Sequence, residues 1–116
     1  MANERRNKTR HVTCGPTGVE SSDKERVALI RDASITGALL LSRSQFPLHE
    51  QLKLAIQIEN GQKPTEVDAK VVRVERLKDG FWSWGIGVEF TPARADLEAI
   101  FKTLSARQET LYGKGN

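Results

Sequence analysis

Gln51 to Glu59 is the most regular alternation in the chain. Leu52, Leu54, Ile56 and Ile58 fall on one side, and Lys53, Gln57 and Glu59 on the other. A period of two is the mark of a half-buried β-strand, because successive side chains point to opposite faces. The segments around it carry the same kind of signal. Glu25 to Ala33 reads as a strand in which Val27, Leu29 and Arg31 share a face, and Gly37 to Ser42 as a strand returning antiparallel to it. Ahead of them, His11 to Cys14 forms a short first strand, broken by Gly15-Pro16-Thr17-Gly18 and followed by a polar connection from Glu20 to Lys24. Arg43 to His49 is a loop broken by Pro47.

Beyond the alternating run, Asn60-Gly61 begins a turn and Pro64 fixes its far side. Val67, Ala69 and Val71 open the next strand on one face, and Val72 and Val74 continue it on the other. The adjacent Val71-Val72 pair fits a bulge or strong twist in a closing barrel, or burial on both faces. Asp79-Gly80 is a hairpin signal. After it, Trp82, Trp84, Ile86, Val88 and Phe90 share one side, opposite Ser83, Gly85, Gly87 and Glu89. Those small residues either admit a second backbone or a ligand, or relieve crowding in a curved barrel. Thr91 is placed as a helix N-cap with Pro92 at the first helical position, and Leu97, Ile100, Phe101 and Leu104 follow with helical spacing. Gly113 to Asn116 is a frayed tail. The expected class is all-β, a small antiparallel barrel with a C-terminal α-helix.

A length of 116 residues fits one domain with a modest core. The net charge of +3 is mild, but its placement is uneven: Arg5, Arg6, Lys8 and Arg10 stand against Glu4 alone in the first ten residues. Residues 1–10 are therefore expected to be a flexible basic leader that waits for an anionic partner, with residues 11–112 as the barrel and helix. The overall charge falls short of a nucleic-acid footprint, and the alternating tryptophans read as core rather than as a stacking platform. No apolar run reaches the length of a membrane span, the N-terminus does not read as a secretory signal, and the single Cys14 fits a reducing compartment. The expected location is the cytoplasm.

Nothing in the pattern points to catalysis. His11 and His49 are isolated, so neither a zinc site nor a nucleophilic arrangement around Ser34 and Asp32 takes shape. No glycine-rich loop leads into a helix as phosphate-binding motifs require, and Glu66, Asp68 and Glu75 sit where strands face water. The expected class is a binding module with no metal and no cofactor.

Two short stretches sharpen that expectation. Asp32-Ala33-Ser34-Ile35-Thr36-Gly37 is a polar insert between apolar runs, with Gly37 able to take a backbone angle other residues disfavour and Asp32 and Ser34 able to bond local amides. By itself it is a hairpin turn. Arg5-Arg6-Asn7-Lys8-Thr9-Arg10 precedes the first strand and sets Arg6 and Arg10 four apart. The order Arg-x-x-x-Arg, then Asp-x-Ser-x-x-Gly, then Gly-Ile-Gly-Val-Glu-Phe from Gly85 to Phe90 resembles the PilZ domain family, over about Arg5 to about Leu104.

The resemblance implies a six-stranded barrel followed by a helix, and a receptor for the bacterial second messenger cyclic di-GMP. It carries over Arg6, Arg10, Asp32, Ser34 and Gly37 as ligand-binding residues. The chemistry suits them. Arginine presents a fork to guanine O6 and N7 or to a phosphate, and a carboxylate at Asp32 accepts from the paired N1–H and N2–H₂ donors of guanine. Arg5 joins the set because in similar domains an arginine there accompanies two intercalated messenger molecules, and a bulky apolar residue accompanies one. The implied partners are cyclic di-GMP and an unidentified protein effector, with the chain a monomer or weak dimer. The competing expectation is a PilZ-fold adaptor that binds protein and no nucleotide.

Overall fold

In the computed structural model, the described residues are 11–22, 24–57, 62–78 and 80–112, with side chains omitted at 13, 14 and 107–112. The Arg5, Arg6 and Arg10 expectations lie outside them, as do those at Ile58 to Gly61, Asp79 and 113–116. The strands are β1 (His11–Ser21), β2 (Lys24–Ala33), β3 (Gly37–Ser42), β4 (Gln51–Ile56), β5 (Thr65–Arg76) and β6 (Trp84–Phe90), followed by the helix α1 (Leu97–Tyr112). They close into an antiparallel barrel in the order β1-β2-β3-β6-β5-β4. The PilZ-like plan of six strands and a C-terminal helix is what the chain folds into.

Closure follows from alternation. Val19 is paired with Leu54, and Leu54 with Val67, so one buried row crosses β1, β4 and β5. Ile30, Leu40 and Ile86 form a second row across β2, β3 and β6. Each such side chain taken out of water contributes about 1.5–3 kcal/mol. The Val27, Leu29 and Arg31 face points outward, while Ala28 and Ile30 fill the interior. The pairing of β5 with β6 shifts between Val71 and Arg73. That is the bulge expected at Val71-Val72, with Val71 buried and Val72 exposed.

Two expected element boundaries are corrected. Gly15-Pro16-Thr17-Gly18 does not end the first strand, because β1 runs on to Ser21. A register shift lies between Val12 and Gly15, and pairing with β4 begins only at Thr17. Pro16 therefore sits beside an irregularity and has one strand neighbour, where a missing N–H is tolerated. Nor does the helix start at Thr91-Pro92. The N–H of Thr91 donates to Asp68 O at 3.2 Å, and that of Arg94 to Ile35 O at 3.2 Å. Pro92 has no N–H to offer. The amides of a would-be first turn are thus committed to the barrel, and α1 begins at Leu97. Leu97, Phe101 and Leu104 are buried, and Phe101 stacks on Phe90 with centroids 6.0 Å apart. This packing, more than local propensity, is what holds a helix of this length in water.

Trp82 precedes β6 and is half-buried, as is Trp84, so the core face of that strand is Ile86, Val88 and Phe90. The loop before β6 is set by Ser83, whose N–H donates to Ser42 O and whose carbonyl accepts from Leu77 N–H. Phe81 is 64% exposed, with the Arg43 guanidinium 4.5 Å from its ring centre. The tryptophans are therefore not the buried pair that the alternation suggested.

Candidate functional site

The loop from Asp32 to Gly37 joins β2 to β3 and is held at every turn. The Ser34 N–H donates to Gly37 O at 2.8 Å. The Ser34 Oγ accepts from Thr36 N–H at 3.3 Å and lies 3.0 Å from Thr36 Oγ1. Ser34 has 0% exposure, so in this state its hydroxyl is a brace inside the turn. Thr36 O accepts from Phe90 N–H at 2.8 Å, and Ile35 O from Arg94 N–H. The loop is thereby stitched to the end of β6 and to the segment leading into α1.

Gly37 is needed for space rather than for backbone angle. Its φ is not in the left-handed region, but a Cβ there would lie 2.3 Å from Val88 O on β6. The sequence expectation of an unusual φ is corrected on this point. Asp32 is half-buried, opposite Val12 on β1 and Leu39 on β3, next to a register shift between Ile30 and Asp32. His11 pairs with Ala33. The start of β1 and the Asp32–Gly37 loop consequently share one end of the barrel.

Arg94 reinforces that end. Its Nη1 donates to Glu66 O at 2.7 Å, and its Nε and Nη2 donate to the two Asp96 oxygens at 3.1 and 2.7 Å. The hydrogen bonds from Arg94 hold the Asp96 carboxyl below its usual range, and the same pairing raises the guanidinium further.

A shallow dish of about 270 Å³ lies on the outer surface beside the loop, lined by Thr36, Gly37, Val72, Arg73, Gly87 and Glu89 among others. It joins loop residues to β5 and β6. Sequence reasoning missed Val72 and Arg73 as candidates, although the bulge that turns them outward was legible. A larger depression of about 370 Å³ lies elsewhere, around Gly18, Val27 and Ala55. It shares no residue with the loop, and its three carboxylates (Glu20, Glu25 and Glu66) outnumber Arg26 and Lys53, which disfavours an anion. Among the described residues no cluster of ligating side chains suits a metal ion, and no helix is long and apolar enough to cross a membrane.

The PilZ domain family model matches residues 4–107. The chain belongs to the PilZ domain family. Solved structures share the fold, among them the following three. One is the inhibitor of motility MotI/DgrA of Bacillus subtilis, with TM-score 0.68 and 18% identity, covering 94% of this chain and 54% of its own. Another is the PilZ domain of YcgR from Escherichia coli with c-di-GMP, with TM-score 0.68 and 12% identity over 94% of this chain and 99% of that one. The third is YcgR in complex with c-di-GMP, with TM-score 0.54 and 13% identity over 92% and 47%. This PilZ chain thus spans about half of MotI and of the longer YcgR chain. No curated protein matches it.

Proposed function

We propose that the chain is a cyclic di-GMP receptor rather than a catalyst, and that the messenger is held between the basic leader and the Asp32–Gly37 end of the barrel. Family membership supports the ligand class, and the two YcgR structures were solved with it. The observation that carries the reading is the register of β1. His11 is opposite Ala33, and Val12 opposite Asp32. Arg10 directly precedes His11 in sequence, and Arg6 stands four residues before Arg10. That register supports one ligand engaging both motifs, which lie more than twenty residues apart in sequence.

In this mechanism Arg6 and Arg10 bind phosphate and guanine, Asp32 accepts from the guanine N1–H and N2–H₂ pair, and Arg5 stacks on an outer guanine of a second messenger molecule. Ser34 and Gly37 hold the loop in shape. The leader orders on binding, at about 1–2 kcal/mol per fixed residue, and the surface so formed meets a protein effector. Calorimetric titration with cyclic di-GMP, against GTP and cyclic di-AMP, tests the reading. Tight binding of cyclic di-GMP alone is expected, and Asp32→Ala is expected to narrow its margin over cyclic di-AMP. Equal loss for both dinucleotides would make Asp32 a turn residue.

One observation favours the second reading, an adaptor that binds no nucleotide. The Ser34 hydroxyl is already satisfied by Thr36, and Gly37 is already required by Val88 O. Both positions are explained by the fold alone, so absence of binding in the same titration would select the adaptor.

A further inference from the structure

We infer that the chain docks on a second copy of itself, the aromatic and cationic tip between β5 and β6 of one copy seating in the acidic depression over β1, β2 and β4 of the other. Neither surface includes the Asp32–Gly37 loop, so the inference stands apart from the nucleotide.

The tip is built by register. Ser42 pairs with Trp84 and Trp84 with Arg76, which brings the end of β3, the start of β6 and the end of β5 to one corner. There Phe81 is 64% exposed and meets Trp82 edge-on, with ring centres 5.0 Å apart. The Arg43 guanidinium lies 4.5 Å from the Phe81 ring centre, and that of Arg76 lies 5.4 Å from the Trp84 ring centre. A guanidinium stacked by its face keeps its N–H edge open for a carboxylate. Lys78 adds an exposed third cation, and the corner stays net cationic with Asp79 of the sequence counted. Gly80 has φ 96°, and a Cβ there would meet no described atom within 4 Å. The tip therefore projects, and it offers the arginine and aromatic side chains in which protein contacts are rich.

The depression is its complement. Val27 pairs with Gly18 and Gly18 with Ala55, so a glycine notch separates two apolar side chains in one row. Val27 is 68% exposed. Two residues along, Glu25 pairs with Glu20 and Glu20 with Lys53. Like charges directly opposite each other repel, and a cation brought to Glu20 and Glu25 relieves that repulsion. Lys53 reaches Glu66 instead, at 3.9 Å. With Arg26 and Lys53 set against Glu20, Glu25 and Glu66, the depression is net acidic, and its 370 Å³ or so leaves room for an aromatic ring over Gly18. Phe81 fills that notch, and Arg43 meets the two glutamates.

Sedimentation equilibrium tests the contact over a concentration series up to about 1 mM, where even a millimolar Kd registers. The tip variant is Arg43→Gln with Phe81→Ala, and the depression variant is Glu25→Lys with Val27→Ala. All four positions are exposed. Thermal unfolding of each is recorded, and the single substitutions Phe81→Ala and Val27→Ala replace a double variant that unfolds early. The weight-average mass of the intact chain is expected to climb above the monomer with concentration and to fall back in high salt. Each variant alone is expected to stay at the monomer mass, and an equimolar mixture of the two to rise to the dimer, because it retains one intact tip and one intact depression. A monomeric intact chain overturns the proposal. A variant that associates like the intact chain also overturns it, since the surviving surface then has another partner, and so does a mixture that stays monomeric.

Discussion

The Nε2 of His11 lies 3.0 Å from Oε2 of Glu98, which ties the first residue of β1 to the first turn of α1. The His11 side chain is only 12% exposed, and Glu98 meets it across 87 residues of sequence. Glu98→Ala leaves a largely buried ring without that bond, and the expected loss is about 1 kcal/mol. Chemical denaturation measures it. A midpoint equal to that of the unaltered protein would mean that the helix is held by Leu97, Phe101 and Leu104 alone.

Gly37→Ala is expected to destabilise the barrel by about 1–3 kcal/mol, the range for overpacking, because the new Cβ meets the backbone carbonyl of Val88 rather than a side chain that can swing away. Gly15→Ala is the matched control, since its Cβ would meet only Leu104 methyls at 3.9 Å. Urea unfolding of the two variants separates them. Equal midpoints would show that the loop yields to a methyl group.

The Arg94–Asp96 pair sets an acid limb to stability. Asp96 has a lowered pKa in the folded protein because it accepts hydrogen bonds from Arg94. Its contribution is therefore complete above the unfolded value of about 3.9 and is lost as pH falls through the folded value. Unfolding midpoints of the unaltered protein and Asp96→Asn should differ near neutral pH and converge in acid. Asp96 is exposed, so the difference is small, and a gap that widened in acid would contradict the pairing.

Arg5 is expected to set stoichiometry. The unaltered chain should take up two messenger molecules and Arg5→Leu one, because the third guanidinium stacks on the outer guanine and offsets added phosphate charge. The inflection of a calorimetric titration reads the number directly. One molecule per unaltered chain would remove this role from Arg5.

Much of the barrel was legible because its signals are local. Leu52, Leu54 and Ile56 alternate and are buried, Gly37 to Ser42 is β3 as expected, and the Val71-Val72 pair marks the bulge. What escaped the sequence depends on partners far away in the chain. Pro16 lies within a strand because β4 reaches β1 only at Thr17, and α1 starts late because Asp68 O and Ile35 O take the preceding amides. The site divides the same way. Asp32, Ser34 and Gly37 announce a loop by composition, whereas Arg73 joins that surface only through the registers of β3, β6 and β5.

The central claim is that one ligand engages the leader and the loop together. Its most direct measurement is the calorimetric affinity of the intact chain for cyclic di-GMP beside that of the Arg6→Ala, Arg10→Ala double variant, with unfolding midpoints recorded for both. The account predicts a loss of at least about 2–5 kcal/mol of binding, the range for removing one partner of a buried charged contact, with an unchanged midpoint because no described core residue is touched. A double variant that binds as tightly as the intact chain would contradict it.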